Sequence, residues 1–439
     1  MYPGPKPKPF IGNVLEIPKF GLHRQLEQWY QDYGDPYEFR LGPDLFYVSA
    51  EPDWINYILK ERPDTFAHPI QFRRILQEMS LGGIIAAEGE DWQQQRKVVT
   101  AALKPGVINQ YIPTMVDHAK KVISSLPGYR FDPMQYTEHY TLMVTLNITF
   151  GQEVADLHLT KKLLKHLKHF FPILGDRVQA IIPWWRYLPT NSSRRMRGSI
   201  KGIKKILDKV LQKRHQIMAS PNHTPEHFQL IDHFIANDAS EDMILANALT
   251  MMLAGKDTTA NTLTWAMHYL AKNPELQLQL REESKNNDYS IQGLNNLVLH
   301  EAVVHETLRL KPPAPYLILE ANHDTQIPHS TGPQSIRAGQ KVVTLIRECQ
   351  VAEQHAAFGR EFHPQSWLDK QSLSPKCYYP FSGGPRFCPG RYLAILESKI
   401  FLAELVKHYD LQECSKQLKE VGLFSVVPQG MRIRRRDAA

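Results

Sequence analysis

The sequence predicts a mainly α-helical fold with a small β region (α+β), built as one large domain. Three observations predict it. Helical periodicity runs with few interruptions from Asp53 to Arg309. Strand-like runs are short and lie towards the two ends of the chain. No internal repeat appears, and no linker is long enough to divide the 439 residues, 42% of them hydrophobic, into separate cores.

Residues 1–20 read as a proline-rich leader and residues 21–439 as the single domain. Pro3, Pro5, Pro7 and Pro9 exclude a helix at the start and favour an extended, rigid segment. Leu22–Tyr33 reads as a helix ended by Gly34-Asp35-Pro36. Tyr37–Leu41 and Leu45–Ser49 read as strands around the turn Gly42-Pro43-Asp44. The longest helix is expected over Ser240–Asn273. Ser240 suits the N-cap, Glu241 and Asp242 oppose the helix dipole, and Pro274 stops the run. Strands are expected again near Lys341–Ile346 and Leu423–Val427.

The net charge is +7 and the basic residues are scattered, with short clusters at Lys201–Lys205 and Arg432–Arg436. No helix-turn-helix, RNA-recognition or zinc-finger pattern accompanies them, so nucleic acid is not an expected partner. The four cysteines, Cys349, Cys377, Cys388 and Cys414, form no C-x-x-C pair. A structural zinc site is not expected, and a reducing, cytoplasmic location is. No window has the length and apolarity of a membrane span, and the start does not read as a signal peptide.

The segment Phe381 to Arg391 concentrates the chemistry. Gly383, Gly384 and Pro385 impose a tight irregular loop, and Gly390-Arg391 leads into a helix with Leu393, Leu396 and Ile400 on one face. A cysteine just before a helix N-terminus sits among free N–H groups in a positive field. Both favour the thiolate, so Cys388 is expected to have a lowered pKa. A lone cysteine in a glycine turn is ordinarily structural, but here F-x-x-G-x-R-x-C-x-G is complete over its ten positions.

That pattern resembles the haem-binding loop of the cytochrome P-450 family of haem-thiolate monooxygenases. The resemblance implies haem b with Cys388 as iron ligand, Arg386 reaching a propionate, and Phe381 and Gly390 packing on the thiolate side. Three further segments resemble the family in its own order. Glu306-Thr307-Leu308-Arg309 gives E-x-x-R, an i, i+3 pair able to join carboxylate and guanidinium. Trp92 and Arg96 lie one turn apart, both donors suited to a buried carboxylate. Ala254-Gly255-Lys256-Asp257-Thr258-Thr259 falls midway along the longest helix, where glycine is costly. There the resemblance implies an opening at Ala254 for O₂, Thr258 as its hydrogen-bond partner and Asp257 as a proton relay.

One position departs. The family shows F-x-P-x-R after the E-x-x-R helix, whereas this chain has Phe362-His363-Pro364-Gln365-Ser366. Ser366 cannot replace a guanidinium, so another donor to Glu306 is expected, either the His363 side chain or a water held by Ser366. The fold implied by the resemblance is a single-domain helical prism of the cytochrome P-450 type.

The function implied is O₂ activation and hydroxylation or epoxidation of a lipophilic molecule such as a fatty acid, sterol or terpenoid. No flavin or iron–sulfur domain fits in the remaining sequence, so the implied electron donor is a separate ferredoxin or flavoprotein reductase. Lys97, Lys104 and Arg391 form a candidate docking surface for it. A peroxide-driven peroxygenase, a haem-thiolate isomerase and a non-catalytic gas sensor or lipid-binding module remain as alternatives. Ile84, Ile85, Leu253, Ala254, Ala314 to Leu317 and Phe424 are expected around the substrate. Phe170 to Leu174 and Ile181 to Trp185 are expected either in the core or as a lid and peripheral membrane contact.

Overall fold

The computed structural model describes residues 2–151, 157–180, 183–188, 190–219, 228–368, 377–422 and 424–438. It is a helical body with a small sheet at one side. The leader lies on the sheet edge. The Glu38 N–H donates to Pro3 O at 3.0 Å, the Asn13 N–H to Arg40 O at 2.7 Å, and Asn13 Oδ1 accepts from the Arg40 N–H at 2.9 Å.

The five-stranded sheet runs in the order Tyr37–Leu41, Asp44–Ser49, Lys341–Thr344, Leu317–Ala321, Phe66–Ala67. Only the Asp44–Ser49 and Lys341–Thr344 pair is parallel, with Phe46 opposite Lys341 and Ser49 opposite Thr344. The expected C-terminal strand near Leu423–Val427 begins later. Lys419–Gly422 pairs antiparallel with Val426–Gln429, and Leu423 itself lies outside the described residues. A smaller core under the sheet includes Trp54, Phe39 and Val343, while the larger one fills the helical body.

The long helix spans Glu241–Lys272, about 48 Å at the usual rise. Ser240 Oγ accepts from the Met243 N–H at 3.3 Å, Asn273 forms the C-cap, and Pro274 opens the next helix, Pro274–Ser284. This helix is buried on every face from Ile244 to Leu253 and again from Thr259 to His268. Burial lapses over Ala254–Thr258, five consecutive residues. Gly255 explains how the neighbouring helix Pro133–Phe150 comes so close: a Cβ there would sit 2.5 Å from Thr145 Oγ1.

Candidate active site

The lapse in burial faces a cavity of about 340 Å³ enclosed by the long helix, the helix Gly89–Ala102 and the start of the helix Arg391–His408. The loop before that last helix is set by its backbone. Gly384 has φ +62°, and a Cβ on it would lie 1.9 Å from Leu59 O, so only glycine fits. The Cys388 N–H donates to Phe381 O at 2.8 Å, which folds the loop back and brings the thiol and the Phe381 ring to one wall.

Cys388, Arg386, Trp92, Arg96, Phe381, Gly390, Ala254 and Thr258 all line this cavity. Asp257 does not. Its Oδ1 accepts from Lys256 Nζ at 2.6 Å, and Lys256 also reaches Glu138 Oε1 at 2.9 Å. Thr258 Oγ1 donates back to Ala254 O at 2.6 Å. Of the expected substrate-side residues, Ile84, Ile85, Ala254, Ala314 and Leu317 are in the wall. Leu253 is instead fully packed in the core, and Phe424 is half-buried against it.

The expectation of a lowered Cys388 pKa needs correcting. Burial pushes the thiol up, and the Gly390 N–H, Arg96 and Arg391 pull it down only in part. The desolvation that closes the site outweighs the field at the helix start.

The cavity also contains residues that sequence reasoning missed. Arg62 and His68 line it beside Arg386, with Arg62 Nη2 3.2 Å from His68 Nε2. Neither stands in a pattern of its own, so no local signal marks them. Burial lowers Arg62 to about 10 and holds His68 well below its ordinary value, hence neutral. Glu397 is the third such residue. It lies on the apolar face of the helix Arg391–His408, and burial raises its carboxyl to about 8 against an opposing hydrogen bond from Thr259. A lone glutamate among Leu393, Leu396 and Ile400 is the signal that was available.

Three guanidiniums therefore share one cavity. Arg96 Nη1 donates to Phe387 O at 2.8 Å. Arg386 Nη2 donates to Ala87 O at 2.8 Å and to Glu88, and its guanidinium lies 4.6 Å from the Trp92 ring centroid. Each still has a buried N–H with no partner among the described residues: Nε of Arg62, Nη2 of Arg96 and Nε of Arg386. Buried guanidinium N–H groups left without an acceptor are costly, and a ligand bearing two carboxylates would satisfy them. Cys388 is the one cysteine in this wall, and no cluster of three His, Cys, Asp or Glu side chains is spaced to hold a bare ion among the described residues. A dianionic macrocycle carrying its own metal, such as haem b, fits this donor set.

Near the cavity the E-x-x-R pair is buried, as expected. Arg309 Nε and Nη2 each donate to Glu306 at 2.8 Å, and Nη2 also reaches Glu361 O at 2.9 Å. The replacement donor is not the His363 imidazole. Glu306 accepts from the His363 backbone N–H at 2.8 Å and from Trp367 Nε1 at 2.9 Å. Ser366 Oγ turns inward to His363 O at 2.7 Å, and the imidazole stacks on Phe358, 3.7 Å between centroids.

Of the proposed lid, Phe170 and Leu174 are fully buried and belong to the core. Ile181 and Ile182 lie outside the described residues. Trp185 is buried with its Nε1 donating to Glu78 at 3.0 Å, whereas Trp184 is 42% exposed. No helix among the described residues is long and apolar enough to cross a membrane.

The model of the family described as Cytochrome P450 matches residues 2–429. The chain is 26% identical to 11-oxo-beta-amyrin 30-oxidase of Glycyrrhiza uralensis, over 83% of this chain and 73% of that protein. It is 24% identical to the cytokinin hydroxylase of Arabidopsis thaliana, over 93% and 85%. It is 26% identical to cytochrome P450 3A6 of Oryctolagus cuniculus, over 94% and 86%. A match over nearly the whole length, on a mainly helical single-domain body with this cavity at its centre, shows that the chain belongs to the cytochrome P450 family of haem b-dependent monooxygenases.

Proposed function

We propose that Cys388 ligates the haem iron and that the enzyme oxidises a lipophilic small molecule with electrons from a separate ferredoxin or flavoprotein reductase. The observation that carries this reading is the single cavity joining the Cys388 thiol, three guanidiniums with unpartnered N–H groups, and the Ala254–Thr258 turn. When bound, haem supplies the activation of O₂ and the transfer of one of its atoms to substrate.

The chain's own residues do the rest. Arg62, Arg96, Arg386 and Trp92 would hold the two propionates, and the Gly390 N–H would steady the thiolate. Ile84, Ile85, Val99, Leu103, Leu230 and Met251 give an apolar wall that excludes water and favours a fatty acid, sterol or terpenoid. Thr258 offers a hydroxyl whose own proton is directed at Ala254 O, leaving its lone pairs to accept. Asp257 would relay a proton to it only after leaving Lys256 or through a bridging water, since it stands outside the wall. Two of the relatives are named as an oxidase and a hydroxylase of particular molecules, and we extend the reaction type, not the substrate, to this chain. Lys97, Lys104 and Arg391 are exposed, and an acidic electron donor would dock on them. Exposed Trp184 supports a peripheral membrane contact.

The test is turnover of a panel of fatty acids, sterols and terpenoids with O₂ and an electron-donor pair, run beside the same panel with hydrogen peroxide alone. The reading requires product in the first arm. Product with peroxide alone would make the enzyme a peroxygenase, and no product in either arm would leave a sensor or carrier.

A further inference from the structure

Tyr379 lines the cavity, and Tyr378, its neighbour in the chain, does not. The Tyr378 hydroxyl lies 2.8 Å from Nδ1 of His305, on the helix Val298–Leu310, with a longer contact of 3.3 Å to His305 O. The other ring nitrogen of His305, Nε2, faces Glu301 Oε1 at 3.7 Å. A carboxylate there keeps the imidazole proton on Nε2 and leaves the Nδ1 lone pair for the phenol, so Tyr378 donates. Trp367, from the 3-10 turn Pro364–Trp367, closes the group. Its ring stacks on His305 at 5.0 Å between centroids and meets the Tyr378 ring at 4.6 Å. Ordinary aromatic packing needs neither the phenol–imidazole bond nor the carboxylate behind it.

We infer that Tyr378, His305 and Trp367 form a redox relay that returns electrons to the haem when hydrogen peroxide has oxidised it and no substrate is present. Tyr378 gives up one electron across Tyr379 to the haem. Its O–H bond breaks, and the proton passes to His305 Nδ1, within the reach that proton transfer needs. A neutral tyrosyl radical then stands beside an imidazolium that Glu301 stabilises. A reductant in solution, ascorbate or a thiol, refills the radical through half-buried Trp367, and His305 hands the proton back. Two such rounds supply the two electrons that turn one hydrogen peroxide into two waters, and the reductant releases the two protons. Burial and the charge of Glu306 hold the Tyr378 phenol well above its ordinary value, so it loses its proton only together with an electron. Two other oxidisable rings reach the cavity but lack this arrangement. The Tyr379 hydroxyl meets Asn56, which is no base. Trp92 has the Arg386 cation 4.6 Å from its ring centroid, which opposes a positive hole. The inference rests on haem seated in this cavity and not on which residue ligates the iron.

The test is hydrogen peroxide added to the substrate-free holoenzyme with a nitroso spin trap, read by electron paramagnetic resonance and by mass spectrometry of the trapped peptides. The adduct is expected on Tyr378 or Trp367, and ascorbate should erase it and slow the bleaching of the haem absorbance. Tyr378→Phe should lose the tyrosyl signal and the Tyr378 adduct and bleach faster, with circular dichroism and the carbon monoxide spectrum of the parent. His305→Gln keeps the phenol but removes its base, so it should lose the same signal. If either variant fails to bind haem, the adduct map of the parent and its response to ascorbate still decide. Adducts confined to Trp92 or to other aromatic groups, no adduct in a parent that holds haem, or parental bleaching rates in both variants would overturn the inference. A failure of the Cys388 assignment shows separately, as a haem-loaded parent without the red-shifted carbon monoxide band.

Discussion

Trp367 Nε1 donates to Glu306 Oε2 at 2.9 Å, and this indole fills the gap left by serine at position 366. Glu306 is buried and Trp367 half-buried, and a carboxylate acceptor that also meets Arg309 puts this bond in the stronger class. Trp367→Phe keeps the ring and removes the donor. It should destabilise the folded protein by about 1.5–3 kcal/mol in chemical denaturation. His363→Gln should cost under about 1 kcal/mol, because His363 serves Glu306 through its backbone N–H. Equal losses in the two variants would mean that the imidazole matters after all.

Glu397 gives a pH dependence with a definite sign. Burial raises its carboxyl from 4.5 to about 8 in the folded protein. Between those values the folded state holds a proton that the unfolded chain has released. Stability should therefore fall as pH rises through that window, at up to about 1.4 kcal/mol per unit, and level off above it. Glu397→Gln should flatten the slope in unfolding curves taken across the window. An unchanged slope in the variant would assign it to other groups.

Gly255 and Thr145 should be energetically coupled. Thr145 is buried and its Oγ1 already donates to Thr141 O at 2.8 Å, so it cannot easily turn away from an added methyl. Gly255→Ala should cost about 1–3 kcal/mol by overpacking. In a Thr145→Ala background the same change should cost less, with a coupling of about 0.5–3 kcal/mol in a double-mutant cycle. Additive losses would show that the helix absorbs the methyl elsewhere.

Thr258 should govern the fate of electrons more than cofactor binding. Thr258→Ala should keep the haem spectrum while product per electron falls roughly ten-fold and peroxide rises, a modest share of what a hydroxyl positioned in a proton-transfer path contributes. Thr258→Ser should recover most of the coupling. Unchanged product yield in the alanine variant would remove the hydroxyl from the reaction.

What was readable in the sequence follows from how local each signal is. The helix Leu22–Tyr33 and the strand Tyr37–Leu41 fall on their expected bounds, because glycine, proline and the apolar period fix them within a few residues. The long helix is legible for the same reason, through Ser240 and Pro274. The cavity residues on the cysteine loop and the Gly89–Ala102 helix were found because each stands in a spaced pattern. Arg62 and His68 were not, since they reach the cavity from a loop after the helix Pro52–Lys60, and only the tertiary packing brings them there. The Cys388 thiol was misjudged in direction because helix-end electrostatics are visible in sequence while desolvation is not. Asp257 was placed in the wall by its neighbour Thr258, yet Lys256 beside it in the chain turns it aside.

The most direct measurement is the optical spectrum of the reduced protein with carbon monoxide, for the parent chain and for Cys388→Ser. The parent should show the red-shifted band of thiolate-ligated ferrous haem, and the variant should lack it. Cys349→Ser, Cys377→Ser and Cys414→Ser should keep the band, since none of those three cysteines lines the cavity. Survival of the band in Cys388→Ser, or its loss in one of the other three with Cys388 intact, would contradict the assignment of Cys388 as the iron ligand.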